Sequence, residues 1–249
     1  IGTSFGIREL QIPFLGLYGA CSTMALSLAL ASVLVDSQVV NNAVASTSSH
    51  FASAERQFRL PLEYGGQRPP SAQRTATASG ATVISQHKGN SPSIEAVIFG
   101  KIMDLGIKDA NNMGAAMAPA AAETIQSFLN DTDTKPNDYD LILTGDLGKV
   151  GSQLLIDLLI KDFNIDISSV HNDCGLMIYD LEEQDMHAGG SGCGCSAAVL
   201  NSVIMKNITS GKLKRVLFVG TGALLSTTSS LQGESVPGIA HGVLLTNGD

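Results

Sequence analysis

Cys21 follows Gly19-Ala20 and opens an apolar run, Ser22 to Asp36, rich in Ala, Leu and Ser and long enough for a buried helix. A cysteine at a helix start feels the positive end of the helix dipole, which lowers its pKa and favours the nucleophilic thiolate. A small buried residue with only a packing role fits the same position. Arg56 and Arg59 lie three apart, so they would share one helical face. Arginine grips a carboxylate with two parallel hydrogen bonds, though either residue also fits an ion pair with Glu55 or Glu63. Further donors for an anion are the backbone amides at helix starts. The stretch Gly189 to Gly194 would let a flat ligand approach the backbone closely. Cys193-Gly194-Cys195, even with Cys174 and His171, lacks the spacer of a structural zinc site, and no metal is expected. Nor is Gly190-Ser-Gly-Cys-Gly a dinucleotide fingerprint, since no strand precedes it and no acidic residue follows about twenty positions on.

The elements that must position these groups come as a repeat. Gly19-Ala20-Cys21-Ser22 and Gly194-Cys195-Ser196-Ala197 each open a helix, and Thr47 and Thr221 each lie 26 residues after their cysteine. An apolar strand follows each helix (Asn42 to Thr47; Arg215 to Thr221), and then a second strand (Ala81 to Ser85; Gly242 to Thr246). Two copies of one α/β unit predict a pseudo-twofold fold with a site where the halves meet.

Ile12 to Leu17 reads as a short strand running into the first cysteine turn, and Phe51 to Gly80 as a long irregular excursion. Ser93 to Ile102 is strand-like and Asp104 to Met117 reads as a linker. Pro119 to Leu129 suits a helix with proline at its first position. Tyr139 to Thr144 reads as a strand, Ser152 to Phe163 as an amphipathic helix and Leu176 to Tyr179 as a strand. The alternation argues for α/β with mostly parallel central strands. Only 20 residues precede Cys21, while the Pro119 helix starts 76 before Cys195. If both copies were once complete, roughly 55 or more residues are expected to be missing at the front.

The net charge of -8, the absence of a basic run and 5% aromatics argue against nucleic acid as a partner. The most apolar run, Met24 to Val35, is too short to span a bilayer. Four cysteines are too few for a disulfide scaffold, and a reducing cytoplasm fits best.

The cysteine turn, the duplicated unit and the glycine-rich turn before the second central helix resemble the thiolase-like superfamily, which includes thiolases and ketoacyl synthases. Within it, Tyr18-Gly-Ala-Cys-Ser-Thr23, Ala54-Glu-Arg-Gln-Phe-Arg59, Asp138-Tyr-Asp-Leu-Ile-Leu-Thr-Gly-Asp146, Ala188-Gly-Gly-Ser-Gly-Cys193 and Ile239-Ala-His-Gly242 resemble the stage V sporulation protein AD family. That resemblance implies a thiolase-like α/β fold, five α-β-α-β-α layers when complete. Its N-terminal half, 1–118, would be truncated at its start, and its C-terminal half would be 119–249. It implies binding of dipicolinic acid (pyridine-2,6-dicarboxylate) and a part in moving it, with calcium, into the developing spore. Other proteins of the same operon would be partners, at the cytoplasmic face of the spore inner membrane, with this chain peripheral and without a spanning segment. No cofactor is implied beyond calcium carried with dipicolinate. Superfamily members dimerise through the strand matching Ala43 to Thr47, so a homodimer is expected.

In the condensing enzymes the residue matching Cys21 is the acylated nucleophile. A histidine after the first strand of the C-terminal half assists it, with a histidine or asparagine in the glycine-rich loop. This chain has Gly145-Asp146-Leu147 and Gly190-Ser191-Gly192 at those places. Neither Asp146 nor Ser191 replaces an imidazole, and an ionised Asp beside Cys21 would raise the thiol's pKa. Loss of Claisen-type catalysis is expected. The alternative is an acyltransferase or condensing enzyme with Cys21 as nucleophile and His241 as base. The resemblance thus implies a pocket between the two central helices whose ligand-binding residues are Cys21, His50, Arg56, Arg59, Asp146, Ser191, Gly192, Cys193 and His241. Structural roles for His50, as a turn-ordering residue, and for His241 stay open.

Overall fold

The computed structural model describes residues 2–53, 55–59, 68–86 and 91–248. α1 (Gly2–Ile7) and a 3-10 turn (Arg8–Leu10) lead to an exposed stretch, and a second 3-10 turn (Ala20–Ser22) carries Cys21 into α2 (Thr23–Asp36). β1 (Asn42–Ser49), a 3-10 turn (Arg56–Phe58), β2 (Arg74–Thr75), β3 (Ala78–Ser85), β4 (Ser93–Phe99) and α3 (Met113–Asp131) follow. Then come β5 (Leu141–Thr144), α4 (Gly148–Phe163), β6 (His171–Asp173), α5 (Cys174–Met177), β7 (Gly190–Ser191) and α6 (Cys193–Val199). A wider π turn (Leu200–Ile204) joins α6 to α7 (Met205–Thr209), before β8 (Arg215–Ala223), α8 (Thr227–Leu231) and β9 (Gly238–Thr246).

Five strands form one sheet in the order β4-β9-β8-β5-β6, and β1 and β3 form a separate pair. β5 runs parallel to β6 and β8, while β9 is antiparallel to β8 and β4, so the sheet is mixed rather than mostly parallel. Alternation along β8 explains its burial on both faces. Leu217 and Val219 pack with Met117, Ile125 and Leu155 of α3 and α4, whereas Val216 and Phe218 pack with Met24 and Leu28 of α2. Burying each such side chain fully contributes about 1.5–3 kcal/mol. α2 and α6 lie between this sheet and the β1–β3 pair. Four layers are therefore present among the described residues: α3 and α4, the five-stranded sheet, α2 with α6, and β1–β3. On the outer face of that pair the directly opposed Val44 and Val83 are 59% and 70% exposed, and a fifth layer is not among the described residues.

The two copies pack crosswise. Strand β1 of the first copy lies on the second cysteine turn, where Thr47 Oγ1 donates to the Cys193 carbonyl at 3.0 Å. Strand β8 of the second copy lies on the first turn, and a side chain at Gly222 would strike the Gly19 carbonyl and come within 3.1 Å of the Ser22 nitrogen. Each half thus supplies the floor for the other's cysteine.

Several local expectations are corrected. Ile12 to Leu17 forms no strand, because no described segment pairs with it and its apolar residues stay largely exposed. Helix α3 begins at Met113, inside the segment read as a linker, and Pro119 lies within it. The missed signal was Asn112, whose side chain caps the helix by accepting the Ala115 N–H at 3.3 Å. Leu176 and Met177 are helical, not strand, since Asp173 Oδ1 accepts the Gly175 N–H at 2.9 Å and caps α5. Residues 54 and 60–67 of the excursion after Phe51 lie outside the described residues.

Candidate functional site

A tight turn presents Cys21. Ala20 adopts φ 50°, a left-handed conformation uncommon for alanine and typical of strained functional turns. The turn is locked by its own hydroxyls. Ser22 Oγ donates to the Gly19 carbonyl at 2.6 Å, and Thr23 Oγ1 donates to the Ala20 carbonyl at 2.7 Å while accepting the Gly19 N–H at 3.2 Å.

Across the gap from Cys21 lies a buried carboxylate network. Cys21 Sγ is 4.0 Å from Ser191 Oγ, which donates to Asp146 Oδ2 at 2.8 Å. The same oxygen accepts the Gly192 N–H at 2.8 Å, and Asp146 Oδ1 accepts Thr221 Oγ1 at 2.9 Å. Gln73 Nε2 bridges the Asp146 and Gly190 carbonyls at 2.7 and 2.9 Å. Asp146, Ser191 and Thr221 are fully buried. Gly192, at φ 105°, holds a conformation that favours glycine and turns its N–H onto the carboxylate.

This environment overrides the helix dipole. Burial pushes the Cys21 thiol well above its ordinary range, and the charges of Asp146 and then Glu55 push it the same way, against a smaller pull from Arg59. Burial raises the Cys193 thiol to about 12. Iodoacetamide at pH 7 is therefore expected to alkylate Cys21 at least about tenfold more slowly than a free cysteine of pKa ~8.5. Peptide mass spectrometry over a time course measures this, and a rate equal to free cysteine would restore the nucleophile reading.

The other expected residues distribute unevenly. His241 lies inside β9, opposite Gly220 on one side and Phe99 on the other, rather than in a turn before the strand. It is buried, and its Nδ1 accepts the Gly100 N–H at 3.3 Å, so the proton resides on Nε2. Nε2 faces the Gly19 turn, 3.8 Å from where a Gly19 side chain would begin. Burial lowers its pKa and keeps the ring neutral. Cys193 is half-buried, with its Sγ 3.3 Å from the Ser48 carbonyl. Arg59 turns inward, donating from Nε to Thr75 Oγ1 at 2.8 Å and from Nη1 toward Met113 Sδ at 3.2 Å. Arg56, in the 3-10 turn, is exposed, so the two arginines do not share one face. His50 is exposed, and its Nδ1 accepts the Ala52 N–H at 3.2 Å, which orders the turn. Gln73, Thr221 and Glu55 were not foreseen as site residues. Only Thr221 had a visible clue, its match to Thr47 in the repeat.

A second buried carboxylate supports the first. Asp173 accepts Thr144 Oγ1 at 2.6 Å and the Leu147 and Gly148 N–H groups at 2.8 and 3.0 Å, tying β6 to the start of α4. His171 Nε2 lies 3.0 Å from the same Thr144 hydroxyl. Burial pushes Asp173 up to about 6 and His171 down to about 4. A raised carboxyl adds stability that is complete below ~3.9 and lost as pH rises through about 6. A lowered histidine adds stability that is complete above ~6.5 and lost as pH falls toward about 4. The two slopes oppose each other. In His171→Gln only the Asp173 slope remains, so the stability deficit of the variant against wild type is expected to widen by about 3 kcal/mol from pH 4 to 6.5. Urea unfolding at three pH values tests this, and a pH-independent difference would contradict it.

Comparison with known proteins agrees with this architecture. The structure resembles 3-oxoacyl-[acyl-carrier-protein] synthase III from Aquifex aeolicus VF5, with TM-score 0.57, 14% identity, and 97% of this chain and 70% of that one covered. It also resembles a tetronic acid condensing enzyme, with TM-score 0.62, 14% identity, and 98% and 72% covered. At such identity the likeness establishes the thiolase-like fold alone. In sequence the chain is 52% identical over 244 residues to stage V sporulation protein AD of Bacillus subtilis (strain 168), covering 98% of this chain and 71% of that protein. The family model for stage V sporulation protein AD matches residues 1–246. A condensing-enzyme fold whose cysteine faces Ser191 and a buried aspartate, joined to this match over nearly the whole chain, places the protein: it belongs to the stage V sporulation protein AD family.

Proposed function

We propose that this protein binds dipicolinate and takes part in the uptake of dipicolinate or its calcium chelate into the developing spore. The observation that carries the reading is the state of Cys21. The thiol keeps the position of a nucleophile in a thiolase-like fold, yet it faces Ser191 and Asp146 and its pKa is raised. A thiol held protonated in this way is a poor nucleophile, which supports binding rather than acyl transfer as the use of the fold. Calcium would travel as the chelate, coordinated by the ligand's own carboxylates. Among the described residues no helix is long and apolar enough to cross a membrane. A peripheral place at the cytoplasmic face of the spore inner membrane, partners from the same operon and a homodimer are part of the proposal.

Calorimetric titration with dipicolinate, with and without calcium, tests it. Isophthalate is the control, because it keeps both carboxylates and lacks the ring nitrogen. Saturable binding that isophthalate does not reproduce is the expected result. No heat and no rise in melting temperature at millimolar ligand would reject it, since ligand binding to the native state must stabilise it. The position of His241 Nε2 beside the Cys21 turn favours one second reading, an acyltransferase or condensing enzyme with Cys21 as nucleophile, in which the Nε2–H of His241 donates to the substrate's carbonyl oxygen rather than serving as base. An acyl group retained on Cys21 and lost in His241→Ala, read by mass spectrometry, would select it.

A further inference from the structure

We infer that a cleft formed by Arg59, Arg68 and Arg74, beside the Cys21 centre, is the seat of a small carboxylate or of one carboxylate end of a larger planar anion. The identity of the larger anion as dipicolinate rests on the function proposed above; the seat itself rests on the following geometry.

The Cys21 centre is ill suited to a dianion. Asp146 is fully buried there, and Glu55 lies close enough for its charge to raise the Cys21 thiol. Arg59, whose charge acts on both Cys21 and Glu55, and Gln73, which holds the Asp146 carbonyl, also line a cleft that carries two further arginines, Arg68 and Arg74. In the cleft, Arg59 Nη2, Arg68 Nη1 and Arg74 Nε are each shielded from solvent and without a hydrogen-bond partner among the described residues. Buried polar groups are almost always paired, and guanidinium donors most of all, so three such donors lining one cleft call for an acceptor. Gln73, whose Oε1 is also without a partner among the described residues, lines the same space.

The remaining contacts hold the three guanidinium groups without neutralising all of them. Arg59 is fixed by Thr75 and Met113. Arg68 Nη2 donates to the Asp185 carboxylate at 2.7 Å, but that side chain is 77% exposed, so solvent screens the pair. Arg74 stacks its guanidinium 5.4 Å from the Phe51 ring centroid, a contact that orients the group and takes up none of its N–H donors. The cavity is about 30 Å³, close to the volume of one water, so its floor admits a carboxylate-sized head and not a ring. A larger anion would place only one end there, with the remainder toward the cleft mouth.

The test titrates dipicolinate, isophthalate and acetate separately into wild type, Arg68→Gln, Arg74→Gln, Cys21→Ser and the control Lys101→Gln. Each arginine variant is expected to weaken the anion that wild type binds by about tenfold or more, the loss of one charged hydrogen bond. Lys101→Gln, which removes an exposed cation that does not line the cleft, is expected to stay within about twofold. A second measurement needs no variant: phenylglyoxal labelling of Arg68 and Arg74 in wild type, read by peptide mass, is expected to slow under saturating anion. Arginine variants that fold and bind like wild type, or labelling unchanged by ligand, would overturn the seat. Dipicolinate binding lost in Cys21→Ser but not in the arginine variants would remove the seat and leave the proposed function standing. Arginine-dependent binding of acetate or isophthalate without dipicolinate would keep the seat and remove that function. No binding by any of the three would remove both.

Discussion

Replacing Asp146 by alanine is expected to cost about 3–5 kcal/mol of folding stability. Among the described residues the carboxylate is the acceptor for two buried hydroxyls, Ser191 and Thr221, and for the Gly192 N–H. Alanine leaves all three without it at the junction of β5, β7 and β8. Each buried donor so stranded costs about 1–3 kcal/mol, partly offset because a buried charge no longer has to be desolvated. Asp146→Asn is expected to be milder, since it keeps one acceptor oxygen and turns only the other position into a donor. Urea unfolding reads the difference, and a loss under about 1 kcal/mol for the alanine variant would refute the assignment. The asparagine variant has a second readout. Removing the charge removes the second-largest cause of the raised Cys21 pKa, so alkylation of Cys21 should quicken relative to wild type.

Gly194→Ala is expected to be as damaging for a different reason. A methyl there would collide with the Ala78 carbonyl and the Ser49 hydroxyl and lie 2.6 Å from the Ser49 nitrogen. Two of those three atoms are backbone of β1 and β3, held in register by Ser49 opposite Ala78, so neither can retreat without breaking the pair. The Gly194 N–H also donates to Ser49 Oγ at 3.1 Å, a contact the collision would destroy. Overpacking at fixed backbone costs about 3 kcal/mol, a fall in melting temperature of roughly 6–12 °C for a chain of this size. Gly16→Ala, with nothing within 4 Å, is the control and should change stability by less than about 0.5 kcal/mol. Equal melting temperatures for Gly194→Ala and wild type would show that α6 does not lie on the β1–β3 pair as described.

The crosswise packing explains why both variants act on the site and the fold together. Asp146 and Thr221 belong to the C-terminal copy and Cys21 to the N-terminal one, while Ser49 of β1 receives the start of the second cysteine helix. A change on either side of the junction therefore reaches the other half's cysteine.

Much of this was legible in the chain itself. The cysteine helices, β1, β3, β8 and β9 announce themselves through apolar runs and through the repeat, because helix and strand periods are local properties of neighbouring residues. The family followed from long contiguous motifs. Where local reading failed, at α3, α5 and Ile12 to Leu17, a capping Asn or Asp or an absent pairing partner decided the outcome. Cys21 was marked by its turn, but its state was not, since a helix start predicts a lowered pKa and burial beside Asp146 reverses it. Gln73 reaches Asp146 across 73 residues, and Arg68 and Arg74 share a cleft with Arg59 only after the chain has folded back. The sequence alone determined the repeat, the family and the residues at the two cysteine turns. Which charges surround Cys21, and where unpaired donors gather, was decided by the tertiary structure, because desolvation and charge act between groups brought together through space rather than along the chain.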